Sequence, residues 1–138
     1  MAAREPHILI TDRNYEKLMM KLEGSYMDEV VPLFEELNRA SIVPEKYIPS
    51  DTVTMNSRVR FKDVKTNEES EVTIVFPEEA NAKEGKISVV APVGTALLGL
   101  RVGEQIKWPM PNGSSRTLEV LAIDYQPESA EDNPLEAS

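Results

Sequence analysis

Apolar residues along this chain recur with two different periods. Within residues 12–40, Tyr15, Leu18, Met19 and Leu22 form one stripe, and Val30, Leu33, Phe34, Leu37 and Ala40 form a second. Spacings of three and four place each set on one face of a helix. Thr11 is positioned to cap the first helix and Gly24 to end it. Pro32 cannot lie deep inside the second without removing a hydrogen bond, so that helix is expected to start near Asp28, whose side chain can cap it. The two helices are expected to run antiparallel, as a short coiled-coil hairpin turning at residues 24–27. A first helix of about eleven residues gives an arm of about 16 Å at 1.5 Å per residue. An arm that short needs the rest of the chain for support.

Beyond a segment bracketed by Pro44 and Pro49, the period changes to two. Val53, Met55, Val59 and Phe61 alternate with Thr54, Asn56, Arg58, Arg60 and Lys62, which predicts a half-buried strand with a basic outer face. Val72, Ile74 and Phe76 mark a second strand, and residues 87–90 a third. Residues 105–108 and 117–125 complete the set, joined through Asn112-Gly113, a pair that tolerates positive φ at both positions of a tight hairpin. In the last strand Leu118, Val120 and Ala122 face one way and Leu121, Ile123 and Tyr125 the other, so both sides are expected to be covered. The reading is an α+β fold: residues 1–44 a helical hairpin, 45–51 a linker, 52–126 a mostly antiparallel five-stranded sheet with one short helix, and 127–138 an acidic tail.

Composition narrows the chemistry. Of 138 residues 41% are hydrophobic and 28% charged, ordinary for a folded protein, and the apolar runs are far short of a bilayer span. No secretory signal is visible, and a cytoplasmic monomer is expected. There is no cysteine and one histidine, which excludes disulfides and thiol catalysis and leaves no metal or cofactor expected. The serines have no histidine grouped with them, and no P-loop or dinucleotide fingerprint is present. His7 stands alone before an apolar run, as a surface or strand-end residue. The net charge of -9 argues against direct nucleic-acid binding, which needs basic surface to displace counterions. The last twelve residues hold four of the acids and no base, as expected of a mobile extension.

The most specific string is Ala91-Pro92-Val93-Gly94-Thr95-Ala96-Leu97-Leu98-Gly99-Leu100-Arg101-Val102-Gly103-Glu104. Proline suits a first helical turn, and the glycines allow the chain to leave that turn and enter a strand. The string resembles the signature of the C-terminal domain of the GreA/GreB transcript-cleavage factors, with Ala91 where those factors commonly have serine. Across residues 8–128 the chain is more similar to the Rnk group of that superfamily, the nucleoside diphosphate kinase regulators. The likeness is carried by Val53-Thr54-Met55-Asn56-Ser57-Arg58-Val59, residues 91–102, Leu118-Glu119-Val120-Leu121 and Tyr125-Gln126-Pro127-Glu128.

The resemblance implies an FKBP-like sheet domain and a protein that binds RNA polymerase near its secondary channel, competing with Gre-type factors without chemistry of its own. It places the docking surface on Pro92, Val93, Gly94, Ala96, Leu97, Leu98 and Gly99. Exposed apolar surface on residues 97–100 is expected to supply the burial, and a bulky charge at Gly94 is expected to weaken binding while leaving the fold intact.

Two other activities are open to the same residues. Gre-type factors hold a second Mg²⁺ with paired carboxylates at a hairpin tip, and Asp28 and Glu29 lie near the expected tip here. Their plainer role is an N-cap and a first-turn acid favoured by the helix dipole. Residues 98–104 also resemble the strand entry of prolyl isomerases of the FKBP type, but Trp108-Pro109-Met110-Pro111 runs directly into the hairpin and leaves no long loop to complete a pocket. Arg58, Arg60 and Lys62 read as the solvated side of a strand or as a face for an acidic partner. Met19, Met20 and Met27 read as hairpin core or tip.

Overall fold

A computed structural model of the chain describes residues 7–22 and 30–131. Strand β1 (Leu9–Thr11) runs directly into helix α1 (Asp12–Leu22), and helix α2 (Val31–Arg39) runs into strand β2 (Ser41–Val43). β1 and β2 pair in parallel, with Leu9 opposite Ser41 and Thr11 opposite Val43. The hydrophobic pattern predicted neither strand. Each has three residues, too few for a period to show, and its partner lies on the far side of both helices.

Thr11 caps α1 as expected, its Oγ1 accepting from the Asn14 N–H at 2.9 Å. Leu18 and Leu22 are buried and Tyr15 packs against the core, but Met19 keeps 36% of its surface. A helix resting on one layer buries a narrow seam, and Met19 sits at its margin. α2 begins later than expected: Val30 is its N-cap, without a side-chain hydrogen bond, and Pro32 lies in its first turn. Asp28, Glu29, Gly24, Met27 and the expected turn at 24–27 fall outside the described residues. The segment read as an irregular linker contains a 3₁₀ turn, Glu45–Tyr47, and buries Ile48.

The sheet consists of β3 (Arg58–Asp63), β4 (Glu69–Val75), β5 (Lys86–Ser88), β6 (Gln105–Pro109) and β7 (Ser115–Tyr125), in the order β5-β4-β3-β7-β6. Within this sheet β4 and β5 pair in parallel and the other pairs are antiparallel. The short helix α3 (Pro92–Leu97) lies between β5 and β6 in the chain, and α4 (Pro127–Glu131) follows β7. The fold is a mixed α+β architecture, as expected.

Three local readings change. First, Val53 and Met55 are buried, but Asn56 adopts φ 68°, which breaks the extended run, so β3 starts only at Arg58 and Thr54 turns inward to 2% exposure. Second, Leu118 and Val120 are fully buried, and a register shift brings Ile123 opposite Val59 and against the core, whereas Leu121 is only half-buried and Tyr125 is exposed, so β7 is covered on one side only. The apolar cluster fills one side of the sheet and leaves the other to solvent, as an antiparallel sheet allows. Third, the hairpin is not a two-residue turn: Met110 N–H donates to Ser114 O, and only Gly113 takes positive φ, at 87°. That is a three-residue loop closed by a left-handed glycine.

The solvent face of β3 carries the basic stripe, but acids flank it. Arg60 lies opposite Glu71 and Lys62 between Glu69 and Glu119, while Arg60 also reaches Asp124 at 3.2 Å. Cross-strand pairing of opposite charges accounts for Arg60 and Lys62, whereas Arg58 lies opposite Thr73 and Tyr125. On the same face Glu71 hydrogen-bonds Asp124, which raises the Glu71 pKa and lowers that of Asp124.

One apolar cluster joins both halves of the chain: Ile8, Ile10, Leu18 and Leu33 share it with Val59, Ile74, Leu97 and Leu118. The expected free acidic tail does not begin at residue 127. Its first residues form α4, and Glu128 is 6% exposed because its carboxylate accepts a hydrogen bond from Thr54 Oγ1 at 2.7 Å.

Candidate docking site at the short helix

Ala91 enters α3 extended, and Pro92 occupies the first turn, where a missing N–H costs nothing. The helix is pressed onto the turn after β5 at Gly94, where an added Cβ would lie 2.2 Å from the Ser88 carbonyl oxygen. Thr95 secures the same contact, its Oγ1 donating to Val89 O at 2.7 Å. At the far end Gly99 has φ 87°, and a Cβ there would meet the Ile8 side chain at 2.7 Å. Backbone bonds from Leu9 N–H to Gly99 O and from Gly99 N–H to Val53 O tie this turn to β1 and to residue 53.

This geometry divides the motif. Gly94, Thr95, Ala96, Leu97, Leu98, Gly99 and Leu100 are all buried. The exposed apolar surface expected on residues 97–100 is therefore not there: Leu97, Leu98 and Leu100 keep 0%, 2% and 0% of their surface. The expectation that Gly94 tolerates a bulky charge is overturned too, because even a methyl group has no space there. Within residues 91–100, Ala91, Pro92 and Val93 retain partial exposure, Val93 packing against the core; beyond them Arg101, Val102 and Gly103 are exposed, Val102 at 40%.

Next to them lies an apolar cleft of about 640 Å³. Five prolines line it, Pro32 from α2, Pro77, Pro92, and Pro109 and Pro111 from the hairpin. Val90, Ala91, Met110 and Trp108 add apolar surface, and Trp108 is 8% exposed. The two polar side chains in the wall are internally engaged, Thr95 with Val89 O and Ser88 Oγ with the Val90 N–H at 3.1 Å. Proline contributes no N–H, so the wall offers few donors and suits an apolar group. Among the described residues Trp108 is the single aromatic in the lining, short of the aromatic-walled pocket that isomerases of the FKBP type need. Sequence reasoning found one wall of the cleft. Pro32, Pro77 and the Pro109-Met110-Pro111 corner come from separate segments, and their common feature, proline beside an apolar run, gives no spacing signal.

The other candidate residues lie elsewhere. His7 is exposed and hydrogen-bonds Ser41 Oγ beside β2. Among the described residues no group of three or more His, Asp or Glu is arranged to hold a metal ion, and no helix is long and apolar enough to cross a membrane. Two further ion pairs link segments of the fold. Arg116 donates to Asp63 Oδ2 at 3.0 Å and holds that carboxyl below its ordinary value, helped by the Lys65 and Thr66 N–H groups. Asp51 binds Arg101 through both oxygens, at 2.9 and 3.2 Å, and raises the guanidinium pKa.

Comparison with known proteins agrees with this architecture. Residues 48–125 match the family model described as transcription elongation factor, GreA/GreB, C-term. The regulator of nucleoside diphosphate kinase from Escherichia coli strain K12 is 42% identical over 130 residues, covering 92% of this chain and 96% of that protein. GreA from Thermodesulfovibrio yellowstonii is 37% identical over 91 residues, 66% of this chain and 57% of that protein. A solved GreA/GreB structure from Nitrosomonas europaea superposes with a TM-score of 0.70 at 39% identity, covering 88% of this chain and all of that one.

Proposed function

The chain belongs to the GreA/GreB family, among the regulators of nucleoside diphosphate kinase, and we propose that it acts by docking on RNA polymerase. In this reading residues 52–126 dock near the entrance of the secondary channel and residues 1–44 form a short arm. The bound protein excludes Gre-type factors and cleaves no transcript. Its influence on nucleoside diphosphate kinase is then indirect, and it works in the cytoplasm as a monomer.

The observation that carries this reading is the division of the motif at α3. Gly94 through Leu100 hold the helix in place and Val93 packs against the core, which leaves Ala91 and Pro92, at the lip of a donor-poor cleft, as the contact surface. Burial of that lip would drive binding, and surrounding charges would set orientation and on-rate. The eleven residues of α1 span about 16 Å, so the arm has little reach into a channel.

Co-sedimentation with core RNA polymerase tests the reading directly. The wild-type chain should bind and be displaced by a Gre factor, and Pro92→Glu, a change at a half-buried cleft residue in the first turn of α3, should weaken binding at least tenfold with an unchanged melting temperature. Wild-type affinity in that variant would remove the site from consideration. With backtracked elongation complexes the protein should leave the RNA full length. Shortening that disappears in Asp28→Asn would instead make it a cleavage factor.

A further inference from the structure

The Gln126-Pro127-Glu128 motif has no part in the docking reading, yet it buries two polar side chains, Gln126 and Glu128. Gln126 is 4% exposed, and its Nε2 donates to both Pro49 O and Thr52 O, at 2.8 and 2.9 Å. Its Oε1 accepts from Ser129 Oγ within α4. Glu128 meets a closed relay of hydroxyls. Thr54 N–H donates to Ser57 Oγ at 2.9 Å, and Ser57 Oγ lies 2.7 Å from Thr54 Oγ1. Since Thr54 Oγ1 gives its proton to Glu128 Oε1, the hydrogen between the hydroxyls must come from Ser57. Each hydroxyl proton in the relay has one destination, and the carboxylate is its end point.

The anchored segment, residues 49–57, joins the two halves. Its other side is held by α1, whose Asn14 Oδ1 accepts from the Met55 N–H at 3.1 Å. Glu128 and Pro127 also share a polar cleft with Asn14 and Lys17 of α1. We propose that α4 is a latch: Gln126 and Glu128 clamp residues 49–57 and thereby fix α1, and the arm it begins, relative to the sheet. The latch is separate from the polymerase reading and stands or falls without it.

Two amides report on the latch selectively, because Thr54 N–H and Met55 N–H bond to side-chain acceptors. Hydrogen exchange on the full chain therefore tests it, with β3 and β7 as internal controls. In Glu128→Ala and in the double variant Gln126→Ala/Glu128→Ala, exchange at Thr54, Met55 and the α1 amides should accelerate at least tenfold, while β3 and β7 keep wild-type rates. Glu128→Gln retains an acceptor for Thr54 and should stay within threefold of wild type. Unchanged rates at Met55 and α1 in the double variant would overturn the latch. So would uniform acceleration that includes β3 and β7, since that marks general loss of stability, and so would a Glu128→Gln variant as loose as Glu128→Ala.

Discussion

Helices α1 and α3 are both short and both feed the same core, but they use their residues in opposite ways. α3 has six residues, of which Gly94, Thr95, Ala96 and Leu97 are buried, and the turn beyond it is buried as well. α1 has eleven and buries only Leu18 and Leu22. The middle of the most recognisable string, residues 94–100, is thus buried throughout. Its specificity is that of a tight fit, in which a glycine faces a carbonyl oxygen and an alanine and leucines fill the remaining space. A protein surface that meets a partner has to be sought at the helix's first residues and on the proline-lined wall beside them.

The strongest way to break this contrast is to disturb α3 where it has no clearance. Gly94→Ala should cost about 3 kcal/mol or more in denaturant unfolding, because its Cβ would overlap the Ser88 carbonyl and the helix would have to lift. A loss under 1 kcal/mol would show that the helix adjusts freely. Leu18→Ala in α1 should cost about 2–4 kcal/mol through the cavity it leaves. Because Leu18 and Leu97 belong to one cluster, helical and sheet signals should be lost in a single transition in that variant. Two separate transitions would mean that the halves fold independently.

A smaller effect is expected at Asp63, at the end of β3. Arg116 lowers its pKa from the ordinary 3.8, so its contribution is complete above that value and is lost as pH falls through the lower value of the folded state. Asp63→Asn should therefore be less stable than wild type at neutral pH, with the gap closing below about pH 4. A gap independent of pH would rule out the ion pair as its cause. Least of all should come from Met20, which is 76% exposed on α1: Met20→Gln should change stability by less than about 0.5 kcal/mol. A larger loss would mean that the face of α1 pointing away from the core is not free.

Much of the fold was legible along the chain, and where it was not the reason is physical. Strands β4, β6 and β7 follow from alternation, and α1 from its stripe and the Thr11 cap, because those signals repeat within a few residues. β1 and β2 escaped since three residues carry no period, and each is a strand only by virtue of the other. Thr54 and Glu128 looked like solvent residues. They are buried as a pair, and 74 positions separate them. The candidate site was legible as a motif and illegible as a surface. Nothing in the letters of residues 92–99 tells which face of α3 meets β5.

The chain's letters alone determined its class of element at most positions, its lack of thiol chemistry and its membership of a family, since all of these depend on residue type and near-neighbour spacing. Tertiary structure alone decided which of those residues stay at the surface, how Gln126 and Glu128 bond to residues 49–54, and where five distant prolines meet in one wall. Those outcomes depend on which surfaces are brought together in space, and burial at any position is set by neighbours that sequence order does not place beside it.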